Sequence, residues 1–187
     1  MRYFKRLAGK KCYLSPMNPD DAPKYAEWLN DLEITVNLDL LMQVNLVNEK
    51  EFIDKNLKDG NAVFAIVDLE TDMLIGNCGL MKIDRIHRNA EFGIFIGDKN
   101  FWKRGFGGEA TRLILDYSFN ILNLENIFLR VLSYNKKAIH VYEKAGFKQI
   151  GLLREFVGIA GKRYDFVLMD ILAEEFESPF VKNFIKD

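Results

Sequence analysis

The segment Phe101-Trp102-Lys103-Arg104-Gly105-Phe106-Gly107-Gly108-Glu109-Ala110 constrains this chain more than any other. It lies between a strand-like run ending near Gly97 and a helix-like run from Ala110 to Leu122. Gly105, Gly107 and Gly108 would each weaken a helix interior by about 1 kcal/mol relative to Ala. At a helix entrance they let a ligand approach the backbone closely and leave the first N–H groups unpaired and outward. With the positive end of the helix dipole and Lys103 and Arg104 alongside, such an entrance suits a phosphate or pyrophosphate. A glycine-rich loop carrying two solvated cations is the competing reading of the same residues.

The rest of the chain sets the frame for that loop. Its 187 residues suit one domain with its own core, and 49% hydrophobic content excludes a disordered chain. A formal charge of −1 gives no basic excess for nucleic acid. Arg2, Lys5 and Arg6 break up the N-terminus, so no signal peptide is expected, and runs such as Asn61 to Val67 are too short to span a bilayer. Cys12 and Cys78 lie far apart and read as two reduced core thiols. A cytoplasmic protein is the expectation, without membrane or nucleic-acid partners.

Hydrophobic periodicity and punctuation give the element order. Lys11 to Pro16 reads as a first strand. Asn18-Pro19-Asp20-Asp21 opens a helix with a cap, a first-turn proline and acids, and Ala22, Tyr25, Ala26 and Leu29 follow on one stripe. Residues 31–46 have no clear period and read as a loop or short helices at a substrate rim. Asn48 with Glu51 suggests a capping box, and Val47 with Phe52 a staple, for a second helix ending at Gly60. Ala62–Asp68, Leu74–Ile83 and Asn89–Gly97 read as strands, the first two forming a hairpin; in the third, Ala90, Phe92, Ile94 and Ile96 alternate with Glu91, Gly93, Phe95 and Gly97. After the glycine loop and its helix come a strand at Asn126–Leu132 and a helix capped by Asn135 and stopped by Gly146. A hairpin of Phe147–Val157 with Tyr164–Leu172 completes the order. Short connections make most of these strands antiparallel, which argues against a doubly wound parallel sheet.

Three segments carry a family resemblance. They are Asn89-Ala90-Glu91-Phe92-Gly93-Ile94, then Trp102 to Gly107 with Glu109-Ala110, then Asn135-Lys136-Lys137-Ala138-Ile139-His140-Val141-Tyr142-Glu143-Lys144-Ala145-Gly146-Phe147. Together, in this order and on these elements, they resemble the GNAT superfamily of acyl-CoA-dependent N-acetyltransferases, and more closely its branch of ribosomal-protein N-terminal acetyltransferases. Leu153-Arg154-Glu155 and Gly161-Lys162-Arg163-Tyr164-Asp165 match that branch's last hairpin, so the likeness spans Tyr13 to Leu172. Trp102 departs from the Gln or Arg that often opens the superfamily's loop. The resemblance implies an α/β (α+β) single-domain fold, residues 1–187 with a core at 11–173. Its sheet would be mixed and mostly antiparallel, of about seven strands with about four flanking helices, splayed between the fourth and fifth strands.

It also implies acetyl-CoA as cosubstrate and no metal. Backbone groups of Lys103, Arg104, Gly105, Phe106, Gly107 and Gly108 would hold the pyrophosphate. The edge of Phe92, Gly93, Ile94, Phe95 and Ile96 would hold the pantetheine arm like an added strand. Asn135 caps its helix, contacts the arm, or does both. Tyr142 either packs with Ala138, Val141 and Ala145 or, as the family match implies, protonates the departing sulfur; a phenol near pKa 10 is protonated at neutral pH. Glu91 either sits on a solvent-facing strand face or serves as the base through a water, partly enclosed and with its pKa raised. His87 is a rival base but reads as a surface loop residue, and His140, two residues from Tyr142, reads as facing elsewhere. With two histidines and two cysteines scattered, no metal constellation is expected. No Walker loop, Rossmann fingerprint or serine elbow is present.

The expected reaction is direct acetyl transfer to a primary amine in a ternary complex. A protein or peptide N-terminus is the first expectation for the acceptor. A spermidine-like polyamine is the alternative, since Ile86 to Phe92 and Leu122-Asn123-Leu124 resemble polyamine N-acetyltransferases and Asp31, Glu33 and Asp39 could line the pocket. Another small-molecule amine comes third. A non-catalytic acyl-CoA-binding module is the reading from a different class, and a homodimer is expected only by analogy with family members.

Overall fold

In a computed structural model, residues 3–38, 40, 42–59 and 61–184 are described. Eight strands form one sheet: β1 (Leu7–Ala8), β2 (Cys12–Pro16), β3 (Ala62–Asp68), β4 (Leu74–Asp84), β5 (Asn89–Ile96), β6 (Asn126–Leu132), β7 (Lys148–Ile159) and β8 (Lys162–Leu172), in the spatial order β1-β2-β3-β4-β5-β6-β8-β7. The helices are α1 (Ala22–Leu29), α2 (Leu32–Thr35), α3 (Leu46–Lys58), α4 (Phe106–Asn120) and α5 (Lys136–Ala145). This is the expected mixed fold with one strand more than the sequence reading gave. β1 has only two residues, too few to show a period, and it pairs with β2 through Leu7 and Ala8.

Every strand pairing is antiparallel except β5 with β6. That parallel pair is short: Asn89, Ala90 and Glu91 face Asn126, Ile127 and Phe128, and from Phe92 onward β5 has no partner on that side. Meanwhile β5 stays paired with β4 out to Ile96 against Gly76. The sheet therefore splits along its middle, and main-chain groups of Phe92 to Ile96 border the gap.

The period of two sorts side chains to the two faces. Ala90, Phe92, Ile94 and Ile96 join the core under α4 and α5, with Leu113, Ile114, Ile127 and Leu129. Phe95 packs on the other face, edge-on to Tyr25 and Trp28 of α1. Gly97 is required where it stands, because a Cβ there would lie 2.1 Å from the Trp28 ring. Cys12 and Cys78 are free thiols, both buried, in the α4–α5 core. No described helix is long and apolar enough to cross a membrane.

Two buried carboxylates tie the ends of the chain to α4. Glu109, in the helix's first turns, accepts from the N–H groups of Lys10, Lys11 and Cys12 at 2.9, 2.7 and 2.9 Å. Asp116 accepts from Ser178 Oγ and from the N–H groups of Phe180 and Val181, so packing continues past residue 173. The cap of α3 is Asn45, whose side chain accepts from the Asn48 N–H at 2.8 Å; it replaces the capping box expected at Asn48. Gly60, the expected stop of that helix, lies outside the described residues.

Glu49 of α3 is buried, and its Oε1 has no hydrogen-bond partner among the described residues, as is also true of Tyr25 Oη and Asp21 Oδ2. Burial pushes its carboxyl up to about 7. A carboxyl raised on folding prefers its protonated form in the native state. Its contribution is complete below the unfolded value near 4.5 and is lost as pH rises through about 7. Glu49→Gln should flatten that slope and stabilise the protein at pH 8 by about 1–3 kcal/mol. Urea melts of both proteins at pH 5 and pH 8 measure it; equal slopes would refute it.

Candidate active site

The gap between β5 and β6 opens into a cleft of about 810 Å³ that passes through the sheet. The glycine loop and α5 line it from one face, and Glu91, Arg130 and Glu33 from the other.

The loop is built to leave donors exposed. Trp102 N–H closes a turn onto Lys99 O at 3.2 Å, and the next main-chain hydrogen bond is Glu109 N–H to Gly105 O at 3.1 Å. Between them the amides of residues 103–108 donate to no main-chain carbonyl of the described residues. Gly105 takes φ +88°, a left-handed conformation that lets the chain turn into α4. The helix begins at Phe106, four residues earlier than the sequence reading placed it, so Gly107 and Gly108 are its first turn. Their Cα atoms face open cleft: added Cβ atoms would meet only Ile96 Cγ1 at 3.9 Å and Val141 Cγ1 at 3.7 Å. A group with phosphate oxygens fits such a cradle. Trp102, the departure in the motif, donates from Nε1 to Ile96 O at 2.8 Å and so pins the loop to the end of β5.

Of the loop cations, Lys103 lines the cleft and Arg104 does not. Arg104 lies over the Phe101 and Phe106 rings at 5.2 and 5.5 Å, and its carbonyl accepts from Lys11 Nζ at 2.6 Å. Phe92 to Ile96, Gly105 to Gly108, Asn135, Tyr142 and Glu91 all line the same cleft. Asn135 Oδ1 is committed to capping α5, accepting from Ala138 N–H at 3.1 Å, which leaves its amide nitrogen to reach a ligand.

Tyr142 projects from α5 toward Phe92. The two rings meet edge to face at 6.1 Å, and Phe147 lies 5.9 Å away. Gly146 ends the helix at φ +107°, and its N–H, with that of Phe147, reaches the Tyr142 carbonyl, fixing the backbone beneath the ring. Burial pushes the phenol up to about 12, so it stays protonated across the neutral range. His140 also lines the cleft, contrary to the expectation that it faces elsewhere; the cleft is broad enough to take residues two apart on α5. His87 does not line it and pairs with Asp84 at 2.9 Å.

Glu91 is buried at the last paired position before the strands part. Its expected solvated or raised state is not found. Lys82 Nζ donates to Oε2 at 2.7 Å and Arg130 Nε to Oε1 at 2.9 Å. Burial acts to raise its pKa, but those two cations outweigh burial and hold the carboxyl below its ordinary value. Sequence reading missed both partners. Lys82 sits at a bulge of β4 with φ 52°, and Arg130 reaches across from β6 with its guanidinium 5.4 Å from the Phe166 ring centre.

Of the carboxylates expected at the rim, Glu33 lines the cleft, and Asp31 and Glu33 both pair with Lys99 at 2.6 Å. Asp39 lies outside the described residues. Among those described, no cluster of three or more His, Cys, Asp or Glu could hold a metal ion.

Residues 11–148 match the family model of the acetyltransferase (GNAT) domain. The chain belongs to the GNAT acetyltransferase family. As a GNAT enzyme it is an acyl-CoA-dependent N-acetyltransferase with acetyl-CoA as acyl donor, and the loop, the parted strands and the cleft suit that donor. It is 30% identical over 178 residues to an uncharacterized N-acetyltransferase, p20, of Bacillus licheniformis, covering 93% of this chain and 97% of that one. It is 39% identical over 127 residues to the spermidine N(1)-acetyltransferase of Vibrio cholerae, covering 68% and 73%. The crystal structure of spermidine N-acetyltransferase from Vibrio cholerae in complex with CoA and spermine superposes with a TM-score of 0.83 at 32% identity, covering 89% and 98%. These relatives do not support the ribosomal-protein branch, and they turn the acceptor question toward polyamines.

Proposed function

We propose that this GNAT enzyme acetylates a primary amine of a spermidine-like polyamine. The observation that carries the reading is the likeness to spermidine N-acetyltransferases in both sequence and fold. Glu33 at the cleft rim supports it, as a carboxylate that can share its charge between Lys99 and a distal ammonium.

In this reading the main-chain amides of residues 103–108, with Lys103, hold the diphosphate. The free edge of Phe92 to Ile96 pairs with the amides of the arm, which aims the thioester at the junction of Phe92 and Tyr142. The bound donor supplies an activated acyl group. The neutral amine enters from the Glu91 face, and its lone pair attacks the acyl carbon. The carbon–sulfur bond breaks with its electron pair on sulfur, Tyr142 gives its proton to that sulfur, and the proton released by the new amide restores the phenol. A carboxylate held as low as Glu91 is a poor proton acceptor, so the ammonium's own proton leaves to water.

The test is thiol release from acetyl-CoA with spermidine, spermine, putrescine and peptides bearing free N-termini. Spermidine and spermine should have kcat/KM at least about tenfold above the peptides. Peptides turning over faster would restore the N-terminal acceptor, and coenzyme A binding with no release for any amine would reveal a binding module.

A further inference from the structure

The cluster of Lys82, Glu91 and Arg130 has two cations for one carboxylate, at the point where the split in the sheet begins. Glu91 is buried and the last residue paired with β6; Phe92, next in the chain, touches Tyr142. The cluster therefore lies beside the place where the reading above puts the acyl carbon, on the face from which the amine enters. Arg130 spends Nε on Glu91, and its side chain lines the cleft. The other charged or titratable groups facing this space are Glu33 on α2, Lys103 in the loop, and Lys137, His140 and Tyr142 on α5.

We propose that the excess positive charge of this cluster eases loss of the acceptor's proton: Arg130 and Lys82 depress the pKa of the bound ammonium and so enlarge the neutral fraction that attacks the thioester. The inference rests on the amine-acetyltransferase reading of the cleft. The chemistry needs it. A free aliphatic ammonium has a pKa near 10.4, so only about one part in a thousand is neutral at pH 7.4. A net unit charge about 6 Å away at an effective dielectric near 20 lowers that pKa by about two units, which raises the neutral fraction roughly a hundredfold. The proton passes to water and the lone pair stays on nitrogen, so no basic side chain is required. Glu91 then has a role opposite to that of a base: it tempers the field and holds both cations in place.

Two measurements test this, using an acceptor found in the amine panel. One is the pH dependence of kcat at saturating amine, which reports ionisations in the complex. The other needs no turnover: an NMR titration of the same amine, carbon-13 labelled next to its primary nitrogen, bound to the enzyme with coenzyme A. The wild-type acid limb and the bound-amine pKa should lie below the free-amine value. Arg130→Gln should raise both by about one to two units and the more exposed Lys82→Gln by about half to one unit, Arg130→Lys should hold the wild-type value, and Glu91→Gln should lower both. Lys82 is largely exposed, so its variant will fold even if the Arg130 variants do not. A base at Glu91 demands the reverse: Glu91→Gln would raise the limb or erase it, and that result overturns the proposal, as does a limb unmoved by Lys82→Gln. Should spermidine fail and a peptide turn over, the polyamine reading falls while these shifts, read on the peptide amine, still decide the role of the cluster. If no amine reacts, both fall.

Discussion

Tyr142→Phe should bind coenzyme A within about twofold of wild type and lose about 100- to 10,000-fold in kcat, the range for a positioned proton donor. Folding should be unaffected. The ring stays against Phe92 and Phe147, and the hydroxyl makes no hydrogen bond within the described residues. The loss should fall in kcat and kcat/KM alike, because the proton is needed only as sulfur departs. Alkaline pH has a definite sign. The neutral phenol is the donor, so this function disappears only as pH rises through about 12, and no alkaline fall in rate near pH 9 belongs to Tyr142. Calorimetry with coenzyme A and steady-state kinetics on both proteins decide the matter; full activity in the Phe variant would make the ring a packing element.

Gly107→Val should have the opposite signature. The position lacks the positive φ that would strain valine, and outside its own helix backbone its Cβ would meet only Ile96 Cγ1, at 3.9 Å. The variant should therefore fold with an unchanged or slightly higher Tm, since valine outranks glycine in helix propensity. Its isopropyl group would occupy the mouth of the amide cradle. Coenzyme A should bind about 10- to 100-fold more weakly, roughly 1.4–2.8 kcal/mol. An unaltered Kd would remove the cradle as the diphosphate site. Together the two variants separate holding the donor from discharging it.

The side of the cleft formed by the glycine loop and α5 could be read from the sequence because it is local. Glycines at a strand–helix junction, an alternating strand before it and a capped helix with Tyr142 behind it are short-range patterns. The start of α4 was misplaced, as were Arg104, which lies outside the cleft, and His140, which lines it; glycine's low helix propensity argues against a first turn at Phe106 to Gly108, yet first-turn amides have no internal partners and glycine costs less there. The side around Glu91 could not be read in this way. Glu91, Lys82 and Arg130 meet through the register of three strands, including a bulge in β4 and a parallel pair closed by a long crossover. An alternating strand says that Glu91 faces away from Phe92; it does not say that two cations wait there. Asp116 likewise looks like one more acid on an amphipathic helix until the tail at Phe180 and Val181 folds back onto it.

The parting of β5 from β6 has a consequence for how such an enzyme can change over time. One side of the opening is largely the main chain of β5 and the glycine loop, whereas the other carries the side chains of Glu33, Glu91 and Arg130, with Lys82 behind Glu91. If the proposed roles hold, mutation can rewrite the preference for the nucleophile residue by residue while the carrier's berth is inherited intact.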